Sequence, residues 1–186
     1  TISGETIDYG PCAFMDFYDP ETVFSSIDLQ GRYAYFNQPG ITKWNLSRFA
    51  ETLLPLIDNN KKKAIETATE VIDRFDSMYE NNWLKMMKKK LGLIGESKSD
   101  KKLINDLLEW MKKNKADYTN TFSYLMKKYE PKEKIFKNDE FISWYKRYRN
   151  RVAIRNDLNE TSYKLMRENN PLVIPRNHEV EKVLEV

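Results

Sequence analysis

The sequence predicts a mainly α-helical chain that opens on a short strand and a long irregular loop. Three observations carry that prediction. From about residue 42 onward, apolar side chains recur at intervals of three and four, the spacing of one helix face. Of six glycines, Gly4, Gly10, Gly31 and Gly40 fall near the start, Gly92 and Gly95 lie mid-chain, and none follows. Pro11, Pro20 and Pro39 punctuate a stretch between 10 and 41 that is rich in Gly, Asp and aromatic residues.

Taken in order, Ile2 and Ile7 alternate loosely and suggest a short strand within residues 1–9. An irregular segment as long as 10–41 is unusual inside a compact domain and is commonly functional. Its aromatic content points to packing rather than disorder. Leu46, Phe49, Ala50, Leu53 and Ile57 form one apolar stripe, with Pro55 expected to kink or shorten the last turn. Ile65, Ala68, Ile72, Phe75 and Tyr79 form a second, which Trp83, Leu84, Met86 and Met87 extend until Gly92 and Gly95 stop it. Ser99 is placed to cap a helix bearing Leu103, Leu107, Leu108 and Met111. Phe122, Leu125, Met126 and Tyr129 mark another, ended by Pro131. Asn138 or Asp139 can cap a helix presenting Phe141, Tyr145, Tyr148 and Val152. Leu158, Tyr163, Leu165 and Met166 suggest a further one, and a short terminal helix is expected from about Asn177.

Bulk properties narrow the function classes. With 186 residues, 40% hydrophobic and 13% aromatic, the chain can bury one sizeable core, which excludes collagen-like and low-complexity classes. The single cysteine, Cys12, excludes an intramolecular disulfide framework and a cysteine-based zinc site, and fits a reducing compartment. No apolar run approaches the length that spans a bilayer, and no secretory signal is present, so no membrane role is expected. No glycine cluster has the spacing that brings backbone N–H groups up to a phosphate, which excludes a self-contained P-loop or Rossmann enzyme. The chain begins at Thr1 rather than Met, leading to the expectation that it is a piece of a longer protein. The net charge of +3 conceals an acidic start, where Glu5, Asp8, Asp16, Asp19, Glu21 and Asp28 stand against Arg32 alone up to residue 42.

Most candidates for chemistry have a plainer reading. His178 has no cysteine or histidine neighbour with which to hold a soft metal and reads as structural. Cys12 reads as a buried or bystander thiol, and no nucleophile-elbow motif supports a hydrolase triad on His178. The segment Trp144–Arg151 interleaves aromatic and basic residues as an RNA-binding surface does, yet an amphipathic basic helix gives the same pattern, and no nucleic-acid partner is expected. Lys88, Lys89 and Lys90 read as a helix C-terminus favoured by the macrodipole. The start of the chain differs. In Thr6-Ile7-Asp8-Tyr9-Gly10-Pro11 an aspartate ends a short apolar strand and a turn follows at once. Such a carboxylate is well placed to ligate a hard cation such as Mg²⁺. Protein kinases use Asp-Phe-Gly in this way, and Asp-Tyr-Gly is one substitution from it. Taken alone the tripeptide is a weak signal, and an ordinary strand-to-turn aspartate is the plainer reading of it.

The surrounding residues add weight. The Thr6–Pro11 segment is followed in order by Phe14-Met15-Asp16, Tyr18-Asp19-Pro20, Gln30-Gly31-Arg32-Tyr33, Asn37-Gln38-Pro39 and Trp44-Asn45-Leu46. Ala116-Asp117-Tyr118-Thr119-Asn120-Thr121-Phe122, Asn170-Pro171 and Ile174-Pro175-Arg176-Asn177-His178 complete the series. Together they resemble the selenoprotein O family over nearly the whole chain. The resemblance implies the helical C-terminal lobe of a protein-kinase-like fold, divided into a metal-site strand and activation-segment-like loop (1–41) and a helical lobe (42–186). It implies protein adenylyltransfer: ATP bound in reverse relative to a kinase, with AMP moved to Ser, Thr or Tyr hydroxyls of other proteins and pyrophosphate released.

Asp8 matches the family's metal-binding aspartate, so it is the expected ligand for Mg²⁺ or Mn²⁺ and thereby for the ATP phosphates. The family's second metal ligand, its proposed base and its phosphate-binding groups belong to segments expected upstream of Thr1, so no catalytic base is assigned within this chain. The segment by itself is expected to be inactive. Arg32, Asn37 and Gln38 read as packing or loop-fixing groups. The cysteine- or selenocysteine-containing tail of many members has no counterpart before Val186, so no redox control is assigned to this chain. The expected location is the bacterial cytoplasm. The alternative from another class is a non-catalytic helical module that binds proteins or RNA through its basic helices. A true kinase lobe lacks a His-Arg-Asp loop to support it.

Overall fold

The computed structural model describes residues 14–126, 134–153 and 160–185. Helices dominate: α1 (Gln38–Ile57), α2 (Lys61–Asp73), α3 (Phe75–Lys90), α4 (Asp100–Asn114), α5 (Tyr118–Leu125), α6 (Asp139–Ala153), α7 (Glu160–Asn169) and α8 (Asn177–Leu184). Single 3₁₀ turns precede α1 (Tyr35–Asn37) and α6 (Lys134–Lys137). Among the described residues there is no strand, only an isolated antiparallel bridge between Phe17 and Asp117. The strand expected within residues 1–9 lies outside the described residues, as do Cys12, Tyr129, Pro131 and Leu158.

The mainly helical expectation holds, with two local differences. Helix α1 starts at Gln38, inside the segment expected to be irregular, because Pro39 occupies its first turn, where a missing N–H costs nothing. Pro55 lies inside α1, and the helix stops at Ile57, in keeping with a shortened last turn. The second apolar stripe does not run through one helix. It breaks at Arg74, whose N–H bonds the Val71 carbonyl three residues back at 3.3 Å, and the chain restarts as α3.

Caps follow side-chain chemistry. Asn60 accepts from the Lys62 and Lys63 amides to start α2, and Asp117 accepts from the Asn120 amide at 2.7 Å to start α5. Asn138, rather than Asp139, caps α6 by accepting from the Phe141 amide at 2.7 Å. Ser99 precedes α4 as expected, but its hydroxyl pairs with the Ser97 hydroxyl at 2.9 Å instead of an amide of α4.

The core lies between α3, α4, α5, α6 and α7. Leu103, Ile104, Leu107, Trp110 and Met111 of α4 face Phe141, Trp144, Tyr148 and Val152 of α6, while Met87, Phe122 and Met166 come from α3, α5 and α7. Burying such side chains is worth roughly 1.5–3 kcal/mol each, which makes this layer the main source of stability. Its polar tips are satisfied: the Trp144 indole N–H donates to the Leu103 carbonyl at 2.8 Å and the Tyr148 hydroxyl to the Leu91 carbonyl at 3.0 Å. At Gly92 the backbone takes φ 64°, and a Cβ would come within 2.9 Å of Met166 Cγ and 3.0 Å of the Ser162 carbonyl, so α7 packs there only because the residue is glycine.

Helices α1 and α2 pair with each other beside this core. None of the residues of α1 is buried, and in α2 only Ala64 is. A groove of about 500 Å³ runs between them, with Ala50, Leu54, Ile65, Ala68 and Ile72 on its apolar walls.

Candidate functional site

Asp8 and Gly10 lie outside the described residues. The chain that comes after them is placed from Phe14 onward, and it brings together segments far apart in sequence. The Tyr18 amide donates to the Ala116 carbonyl at 2.9 Å and the Tyr118 amide to the Asp16 carbonyl at 2.8 Å, bonding residues 16–18 to the start of α5. The Tyr18 and Tyr118 rings stack at 5.7 Å, and Tyr35 meets Tyr18 edge-on at 6.1 Å.

Arg176, at the entry to α8, closes this arrangement. Its Nη1 lies 2.7 Å from Asp117 Oδ2 and its Nη2 3.3 Å from Asp117 Oδ1, a two-pronged fork on one carboxylate. The same Nη1 donates to Asp16 Oδ1 at 2.5 Å. Its hydrogen bonds to the carboxylates of Asp117 and then Asp16 push the guanidinium pKa further up, so it stays charged. Asp117 thus does two jobs, capping α5 and receiving the fork.

Burial sets the protonation of the neighbouring groups. The Tyr18 hydroxyl is pushed up to about 12 by burial, with Tyr35 and Asp19 adding to it. Burial, reinforced by Tyr35, holds Tyr118 well above the ordinary tyrosine range. Both stay neutral near pH 7 and serve as packing and hydrogen-bonding groups, not as nucleophiles. Lys90 approaches the same aromatic group from α3, with its ammonium 4.5 Å from the Phe122 ring centroid and 5.5 Å from that of Tyr118. Burial lowers its pKa to about 8.

The irregular segment is fixed by its own side chains. Asp28 accepts from the Arg32 and Tyr33 amides at 2.9 and 2.8 Å. Asn37 donates to the Gly31 carbonyl at 2.8 Å and Gln38 to the Tyr33 carbonyl at 2.5 Å. The Arg32 guanidinium lies 4.8 Å over the Trp44 ring. Arg32, Asn37 and Gln38 therefore act as loop-fixing groups.

The other sequence candidates remain apart from this region. His178 is exposed on α8 and contacts Glu179 at 3.0 Å. Lys88, Lys89 and Lys90 do form the last turn of α3, but Lys88 is buried against Asp100 at 3.5 Å and Glu96 at 2.9 Å. In the basic helix α6, Trp144 and Tyr148 are buried, Arg147 pairs with Asp106 at 2.6 Å, and Arg151 reaches buried Asp100 at 2.6 Å. Two of its four cations, Arg147 and Arg151, are thus turned onto carboxylates of α4. No group of three or more His, Cys, Asp or Glu side chains among the described residues could hold a metal ion. No helix among them is long and apolar enough to cross a membrane.

In the sequence, Asp16, Asp117 and Arg176 stand out only as members of separate motifs. Their meeting joins positions 160 residues apart, which helical periodicity cannot report. The one signal is that these motif residues carry charge and have no assigned role.

Comparison with known proteins relates this helical chain to proteins named as nucleotidyltransferases. It is similar to the protein nucleotidyltransferase YdiU of Pelagibacter ubique, 57% identical over 184 residues, covering 99% of this chain and 38% of that protein. It is 54% identical to the protein of the same name from Clostridium botulinum and 55% identical to that from Anoxybacillus flavithermus, each again over 99% of this chain and 38% of the relative. The family model described as protein adenylyltransferase SelO matches residues 1–186, and the chain belongs to that family. It spans 38% of the length of these relatives.

Proposed function

We propose that this chain is the helical part of a protein adenylyltransferase, whose whole protein moves AMP from ATP to Ser, Thr or Tyr hydroxyls of other proteins in the cytoplasm. The family match along residues 1–186 carries this reading. The arrangement of helices supports its assignment as the C-terminal lobe of a kinase-like fold, with residues 1–41 contributing the metal-ligand turn and the activation-segment-like loop. Within the chain, Asp8 would hold the divalent cation. An aspartate carboxylate is a hard oxygen donor suited to Mg²⁺ or Mn²⁺, and one carboxylate is too few to form the site, so further ligands come from the rest of the protein. The cation would neutralise charge on the ATP phosphates during transfer. Gly10 would supply the turn behind the ligand. The Asp16–Asp117–Arg176 cluster would anchor that turn to the helical lobe.

A transfer assay with ATP labelled in its α-phosphate tests the reading. The whole protein with Mg²⁺ or Mn²⁺ is expected to label protein acceptors, and Asp8→Asn in it to abolish labelling. Residues 1–186 alone are expected to label nothing. Full activity of the Asp8→Asn protein would remove Asp8 from the mechanism, and efficient transfer by the 186-residue chain would overturn its description as an incomplete part.

A further inference from the structure

We propose that one face of α1, formed by Leu46, Phe49, Leu53 and Leu56, is the docking surface for the part of the protein outside residues 1–186, which makes α1 a core helix of the whole protein. The inference rests on the reading of this chain as part of a longer polypeptide. Helix α1 is 20 residues long and carries only three charged side chains, Lys43, Arg48 and Glu51. Its apolar residues lie on more than one side. Ala50 and Leu54 line the groove shared with Ile65, Ala68 and Ile72 of α2. Leu46, Phe49, Leu53 and Leu56 recur at intervals of three and four along a second side, roughly 100° around the helix and about 15 Å long. None of these four is charged or buried: Leu53 is half-buried, Leu46 and Phe49 are exposed, and Leu56 is 82% exposed.

A helix that is apolar on several sides belongs in an interior, whereas a surface helix keeps one apolar stripe. Helix α1 has the composition of the first kind, yet none of its residues is buried within this chain. Trp44, which lies off the stripe, already has partners, with the Arg32 and Arg48 guanidinium groups 4.8 and 5.7 Å from its ring centroid. Arg48 also pairs with Glu51 at 2.5 Å, so the charges nearest the stripe cancel and give a free partner little to steer by. An uncharged, apolar seat of this kind suits a contact that never separates. Length identifies the occupant. The chain spans 38% of its YdiU relatives, so more than half of such a protein lies outside it. Being on the same polypeptide, that part meets the stripe in every molecule and at high effective concentration, which a second copy or a separate protein does not. The segment that covers the stripe must itself be apolar and uncharged where it touches Phe49 and Leu56, because a charge buried there would find no counter-charge on the four stripe residues.

The test uses the whole protein with a photo-crosslinking residue, p-benzoylphenylalanine, in place of Leu56 or, in a second variant, Phe49. After irradiation, mass spectrometry of the digested protein is expected to find both positions joined to residues of the same polypeptide outside 1–186, in material that light scattering shows to be monomeric. Because the bulky probe can disturb a packed contact, Leu56→Cys provides a conservative variant. In the folded whole protein its thiol is expected to react with a maleimide more than about 100-fold more slowly than in urea, since reaction then waits on opening of the structure. Labelling of folded Leu56→Cys at the rate seen in urea would overturn the proposal. So would crosslinks to a second copy, to another protein or to residues within 1–186, or protection that disappears as a dimer is diluted. Neither readout depends on Asp8 or on AMP transfer, so the adenylyltransferase reading can fail while this one stands, and the reverse.

Discussion

Asp100 shows what a single buried carboxylate controls. It is 1% exposed at the start of α4, receives Arg151 Nε at 2.6 Å and Nη2 at 3.0 Å, and has Lys88 Nζ 3.5 Å away. Arg151 also donates to the carbonyls of Ile94 and Gly95, so this group ties the connector between α3 and α4 to α6. Asp100→Ala leaves two cations without their shared counter-charge, and urea unfolding should show a loss of about 3–5 kcal/mol. Lys90 gives a pH-dependent counterpart. Its pKa is lowered from 10.5 to about 8, so between those values the unfolded chain binds more protons than the folded one. Stability therefore rises with pH through that window. The unfavourable burial of the ammonium is fully present below about pH 8 and relieved by about pH 10. In Lys90→Met the rise should vanish when urea midpoints are compared at about pH 7, 8, 9 and 10. Above that range the raised values of Tyr18 and Tyr118 act oppositely, because the unfolded chain loses those protons first.

At the scale of elements, the legible part of the fold is the part that local chemistry decides. The 3.6-residue periodicity locates the helices, and Asn138 is readable as a cap because its amide oxygen needs only an N–H three residues on. The same Asn138 oxygen also accepts the Trp110 indole N–H at 3.2 Å, a long-range partner that no local pattern signals. Asn138→Ala should consequently cost about 2–3 kcal/mol in urea unfolding, more than an ordinary cap, because the indole N–H of a buried tryptophan loses its acceptor. The break at Arg74 is not legible. Apolar residues keep their spacing across it, while the Arg74 N–H bonds the carbonyl three residues back instead of four. Lys88 and Arg151 mislead in the same way: a basic residue on a helix is taken as solvated until its partner on another helix is known. The Asp16–Asp117–Arg176 cluster escapes periodicity for that reason, although resemblance to the family singles out every residue in it.

Taken as a whole, the molecule concentrates its apolar contacts in the body formed by α3 to α7 and leaves α1 and α2 attached to its side. Trp44 and Phe49 are 48% and 44% exposed, Leu56 is 82% exposed, and the ion pair between Lys43 and Asp76 is one of the ties across to α3. The break at Arg74 then acquires an energetic meaning: it falls at the seam between two parts of unequal cohesion. Native-state hydrogen exchange should resolve them as separate cooperative units. Amides of α1 and α2 are expected to exchange through a partial opening at a fraction of the global free energy, and those of α4 and α6 only on complete unfolding. Equal protection across all four helices would show a single unit. If the seam opens as expected, the pair α1–α2 can detach and re-dock as a body while the layer carrying Asp117 and Arg176 keeps its shape.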